Sequence, residues 1–137
     1  HSSAASDVYK RQLKLYGNAV IVNTDYAKNN SDMVKKFLVA IGAGWRDAIK
    51  DPKAAAAALV KRNPAADAAL EQRRLQLAID ANVLTDYVKA NGMGGVDSSR
   101  FAAAIEQLSE TYEYKAAPNA ALYFTDEYLP ASGISLN

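Results

Sequence analysis

The chain has 137 residues, half of them hydrophobic and 23% charged. With a mean hydropathy of −0.19, that is the composition of a folded domain, and it excludes wholesale disorder, collagen and low-complexity classes. No apolar run approaches the ~20 residues that span a bilayer as a helix. Sixteen Lys and Arg face fifteen Asp and Glu, so the sequence carries neither a nucleic-acid footprint nor a polybasic membrane patch. There is no Cys, and the single His is His1. Disulfides, thiolate metal sites, Cys nucleophiles, His-dependent triads and multi-His metal sites are therefore excluded. No catalytic residue, metal ligand or cofactor site is expected.

The first Met is Met33, inside a strong helical pattern. Residues 1–12, ending Asp7-Val8-Tyr9-Lys10-Arg11-Gln12, have no apolar core of the kind a signal peptide needs. They resemble translated sequencing adapter and are read as a non-native leader, with a natural polar linker as the alternative. The expectation is that an N-terminal portion of the protein is missing.

Leu13 to Asn23 reads as a strand, because Ala19-Val20-Ile21-Val22 is a short apolar run suited to burial on both faces. Tyr16-Gly17-Asn18 before it marks a bend or a close approach. Asn23-Thr24-Asp25 can cap a helical turn through Asn29. From Asn30 or Ser31, the residues Val34, Phe37, Leu38, Ile41, Trp45, Ala48 and Ile49 recur on one face at a period of 3.6. Gly42 and Gly44 interrupt that helix and suit close packing by a neighbour. Asp51-Pro52 caps a second long helix that stops at Asn63-Pro64. A third runs from near Asp67 to about Asn82, with Leu70, Leu75, Leu77, Ala78, Ile79 and Ala81 as its apolar positions. A shorter one spans Thr85–Ala90 and ends at Asn91-Gly92. Asp97 caps a fourth long helix carrying Phe101, Ala104, Ile105, Leu108 and Tyr112. Lys115–Phe124 is irregular, Thr125–Leu129 predicts one last helical turn, and the tail 131–137 is expected to fray. No domain boundary shows after residue 13. The fold class is α/β but helix-rich, with one or two strands and four to five helices. A lone strand needs partners for its backbone groups, a second sign of a missing part.

Most residues that invite a chemical reading have a plainer one. Gly92-Met93-Gly94-Gly95 lacks the Lys-Ser/Thr ending of a phosphate loop and follows a helix, so a helix cap and turn suffices. Glu106 and Glu110 share a face opposite the apolar stripe, as solvated residues do. Trp45 lies on an apolar stripe, which favours packing over ligand stacking. Tyr16, Gly17 and Asn18 are different: an aromatic, a glycine and an amide sit together off any helix stripe, where Tyr can stack and Asn can both donate and accept. A bulge or hinge without a ligand is the competing reading, and the residues alone leave both open.

The order of short strings adds a resemblance. Tyr16-Gly17-Asn18-Ala19-Val20-Ile21-Val22-Asn23, Met33-Val34-Lys35-Lys36-Phe37-Leu38, Gly44-Trp45-Arg46-Asp47-Ala48-Ile49, Asp51-Pro52-Lys53-Ala54-Ala55, Lys61-Arg62-Asn63-Pro64, Asn91-Gly92-Met93-Gly94, Val96-Asp97, Arg100-Phe101 and Tyr128-Leu129-Pro130 follow one another. Over nearly all of 13–130 the series resembles the C-terminal part of ABC-transporter substrate-binding proteins of the nitrate/sulfonate/taurine and thiamine-precursor (NMT1/THI5-like) type. The resemblance implies a type II periplasmic-binding-protein fold, in which two lobes close over a small molecule and then dock on a membrane permease. It implies a non-enzymatic, periplasmic or membrane-anchored extracellular protein that is monomeric and has a small-molecule ligand, permease partners and no nucleic acid. Residues 13–23 would lie near the crossing between lobes, with Tyr16, Gly17 and Asn18 at the ligand. Two other readings remain: a thiamine-pyrimidine-synthase-like enzyme of the same superfamily, and a stand-alone helical interaction module.

Overall fold

The computed structural model describes residues 16–116 and 118–136. The leader 1–12 and the first residues of the expected strand lie outside them. The elements are α1 (Thr24–Asn29), α2 (Ser31–Lys50), α3 (Pro52–Arg62), α4 (Ala68–Ala78), a π turn (Ile79–Val83), α5 (Asp86–Asn91), α6 (Ser98–Thr111) and a 3-10 turn (Ala120–Leu122). The chain is helix-rich, and no strand occurs among the described residues.

Local chemistry sets most helix boundaries. Asn23, Asp51, Asp67, Thr85 and Asp97 each accept a backbone N–H of the following helix at 2.7–3.2 Å, meeting the orphan donors of a first turn. Pro52 sits where its missing N–H costs nothing. Gly92 ends α5 at φ 75°, in the left-handed region that suits glycine. A Cβ there would lie 2.5 Å from the Ser132 carbonyl oxygen.

Two compact units emerge. In one, residues 16–22 accompany Val96–Thr125 with α6 and the 3-10 turn. In the other, Asn23–Gly95 is joined by Asp126–Asn137. No composition shift in the sequence marks this division. In the second unit α3 packs on both α2 and α4. Among the described residues its buried apolar side chains are Ala27, Val34, Ala56, Ile79 and Ile134, and that of the first unit is Ala104. Three of the six are alanines, so the burial is shallow. Gly42 lies under the Ile134 Cγ2 methyl, in the space a Cβ would occupy. Gly44, only two residues on, has nothing near a built Cβ, so the close approach expected at both glycines occurs at one.

Four expectations need correction. The described part of the Leu13–Asn23 strand, residues 16–23, is irregular and, from Gly17 on, exposed; Ile21 is 94% accessible. Among the described residues no neighbouring strand pairs its backbone groups, and a strand without partners does not form. Thr125–Leu129 makes a single turn, Leu129 N–H to Asp126 C=O at 2.8 Å, because Pro130 biases Leu129 away from helix. Leu77, one of the apolar positions read for this helix, is exposed; two residues after the half-buried Leu75 it points to the opposite side of the helix. The tail does not fray at Ile134, which exchanges both backbone hydrogen bonds with Met93 at 2.8 and 2.9 Å and is 5% accessible. Arg46 of α2 donates to the Ser135 carbonyl at 2.8 Å. The segment through Ser135, bridged to the loop after α5, thus closes over α2.

Candidate functional site

The surroundings of Tyr16 are built by the start of α6. Asp97 caps that helix, its carboxylate accepting from the Arg100 N–H at 2.7 Å and from the Ser99 hydroxyl. The Ser99 hydrogen bond first, then the Arg100 N–H, hold the Asp97 carboxyl below its usual value against a weaker opposing effect of burial. The backbone N–H of Asp97 points the other way and donates to the Tyr16 hydroxyl oxygen at 2.7 Å. Helical geometry then brings Arg100 and Phe101 to the same ring. The Arg100 guanidinium lies 4.5 Å from the Tyr16 ring centroid, within cation–π range. Phe101 meets that ring edge-on at 6.1 Å, and Phe124 meets Phe101 at 6.3 Å.

Of the three residues singled out by sequence, the structure anchors Tyr16 and leaves Gly17 and Asn18 exposed. A Cβ on Gly17 would meet nothing within 4 Å, so no close approach requires the glycine. Arg100 is the member of this cluster that sequence reasoning missed. The Asp97 cap was readable and fixes Arg100 three positions later, but nothing in the sequence connects α6 with Tyr16, 81 residues from Asp97.

A second feature lies in the other unit. An open apolar groove of about 490 Å³ runs between α2, α3 and α4, walled by Ile41, Trp45, Leu59 and Leu75 with the Glu71–Arg74 ion pair at 2.7 Å on one side. Trp45 is a half-buried wall residue of this groove. Glu106 and Glu110 are exposed on α6. Gly92–Gly95 is occupied with the α5 cap and the Met93–Ile134 bridge. Among the described residues no cluster of three or more His, Asp or Glu could hold a metal ion, and no helix is long and apolar enough to cross a membrane. The Tyr16 cluster thus joins an aromatic ring and a guanidinium to the first turn of α6.

Comparison with known proteins bears on this part of the chain. Residues 5–55 match the family model described as NMT1/THI5 like. The match makes this stretch, rather less than half of the chain, similar to that family. It takes in Tyr16, Gly17 and Asn18, α1, α2 and the first turn of α3, and it also includes residues 5–12 of the stretch read as a leader. Neither the curated proteins nor the solved structures give a significant match. The proteins that this family model describes are substrate-binding or related proteins, and the likeness to them is confined to residues 5–55.

Proposed function

We propose that this chain belongs to the solute-binding component of an ABC importer. In this reading it is part of a type II periplasmic-binding-protein fold that captures an oxyanion, a sulfonate or a pyrimidine or vitamin precursor. The captured molecule is handed to membrane permease subunits from the periplasm or the outer face of a membrane. The family match over 5–55 carries the reading. Tyr16, Gly17 and Asn18 are the proposed ligand residues. Tyr16 keeps a hydroxyl proton to donate while its oxygen accepts from Asp97, and Asn18 presents an exposed amide with both a donor and an acceptor. The role is binding rather than catalysis, as for most of the family.

The test is to sequence the source DNA upstream of Tyr16–Asn23 and to screen the resulting full-length protein for ligands by thermal shift. Support is a reading frame continuing through alternating strands and helices behind an export signal. A ligand of these classes should then stabilise the protein by ~2.7 kcal/mol at a hundred times its Kd. Tyr16→Ala and Asn18→Ala should reduce that shift. A start codon close to residue 13 overturns the reading in favour of a stand-alone helical module. Turnover of the ligand, rather than its binding, would show the enzymatic branch of the superfamily.

A further inference from the structure

Asn91-Gly92 is the one place in the sequence where Gly follows Asn. At such a pair a backbone nitrogen most readily attacks the Asn side chain, because glycine has no Cβ to crowd the approach. The structure puts the pair at the end of α5 and engages both reacting groups. The nucleophile, the Gly92 N–H, donates to the Val88 carbonyl at 2.8 Å, and Asn91 Nδ2 donates to the Tyr87 carbonyl at 3.0 Å. Asn91 is exposed, so water reaches it. Yet α5 has only six residues, too few to keep its last turn closed alone. The C-terminal segment supplies the support. Gly133 packs so closely that a Cβ on it would collide with the Asn91 carbonyl oxygen and lie 3.0 Å from Gly92 Cα. Met93, the next residue, exchanges both backbone hydrogen bonds with Ile134.

We infer that Asn91 is a deamidation site held shut by the Gly133–Ile134 segment, and that its modification opens this closure irreversibly. When the segment lifts, the Gly92 nitrogen loses its proton and bonds to Asn91 Cγ. Nδ2 takes up a proton and leaves as ammonia, which gives a cyclic imide. Water then opens the ring at one carbonyl or the other, to aspartate or to isoaspartate. Nothing is oxidised or reduced; water enters and ammonia departs. Both products put a carboxylate where the Nδ2 donor was. It cannot donate to the Tyr87 carbonyl, and it sets a negative charge at the negative end of α5. Isoaspartate also adds a methylene to the main chain beside Gly133, which moves Met93 out of register with Ile134. The inference concerns the covalent fate of the chain and is independent of any ligand.

The experiment follows Asn91 by peptide mass spectrometry while the 137-residue chain is incubated at mildly alkaline pH, with and without denaturing urea. The folded chain should deamidate at Asn91 at least about tenfold more slowly than the unfolded one. Ile134→Ala, with its helix signal verified by circular dichroism, should recover most of that difference. Leu77→Ala, on an exposed face of α4, should recover none. Should Ile134→Ala fail to fold, hydrogen exchange in the parent decides: as urea is raised below the unfolding transition, Gly92 N–H exchange and Asn91 deamidation should rise together. The deamidated chain, separated by its added charge, should have lost the exchange protection of the Ile134 N–H. Equal rates in the folded and unfolded chain overturn the inference. So does a folded Ile134→Ala that deamidates at the parent's rate, Gly92 exchange that rises without deamidation, or a product that keeps Ile134 protected.

Discussion

Residues 16–23 and 131–136 are both short, non-helical and built around an isoleucine, yet they meet opposite fates. Ile134 is 5% accessible and exchanges two backbone hydrogen bonds with Met93; Ile21 is 94% accessible. Intrinsic preference does not separate them, since Ala19–Val22 is the more strand-prone sequence of the two. What separates them is the presence of a backbone partner. The loop after α5 offers Met93 as a hydrogen-bonding mate, and Gly42 offers a notch for the Ile134 methyl. Nothing among the described residues offers the same to Ile21. Hydrophobic sequence supplies a tendency to be buried, and paired polar groups decide whether burial is possible.

The sharpest test of this contrast is the same truncation at both isoleucines. Ile134→Ala should lower the urea-unfolding stability by about 2–5 kcal/mol, the usual loss for a buried isoleucine, whereas Ile21→Ala should stay within about 0.5 kcal/mol. Equal effects would break the comparison. Next come the two glycines of α2. Gly42→Ala forces a methyl into the place of Ile134 Cγ2 and should destabilise by about 1–3 kcal/mol. Gly44→Ala meets open space and should stabilise by up to about 1 kcal/mol. Chemical denaturation of the pair reads the sign directly, and a stabilising Gly42→Ala would mean that Ile134 does not rest there. Away from both segments, Asp51→Ala removes the α3 cap and should cost about 1 kcal/mol, measurable as a lowered melting temperature.

The smallest effect is a pH dependence at the start of α6. Hydrogen bonds from Ser99 and the Arg100 N–H lower the Asp97 pKa in the folded chain. The stability this contributes is present above the unfolded-state value near 3.9 and is lost as pH falls through the lower folded value. Asp97→Asn should therefore flatten the acid limb of the stability curve below about pH 4. An unchanged limb would mean that Asp97 is not held by those partners.

The helices were legible because their signals are local. Asn23, Asp51 and Asp97 were readable as caps, Asp67 and Thr85 as places where helices begin, Pro52 and Pro64 as boundaries, and Gly92 as a stop, since each acts on backbone within four residues. The α2 stripe was readable from its period, although Phe37 on that stripe is 55% accessible, which periodicity does not foretell. The Ile134 closure was not legible. It joins Ile134 to Met93 across 41 positions through one bridge and to Gly42 across 92 positions through one glycine notch, and neither has a sequence signature. At the candidate site, Tyr16 and Asn18 stood out by residue type. Arg100 did not, because its link to Tyr16 depends on how α6 meets the segment before α1. The two-unit division was also hidden, since each unit draws on chain from both sides of the other's residues.

The contact between Arg46 and Ser135 spans 89 positions, and Gly42 waits slightly longer for Ile134. At ribosomal speeds of about 5–20 residues per second, α2 would be made roughly 4 to 18 seconds before the segment that covers it. During that interval the notch at Gly42 lies open on a nascent chain, within reach of chaperones and of other apolar segments. Rare codons between α2 and Ile134 would lengthen the exposure without changing a single amino acid.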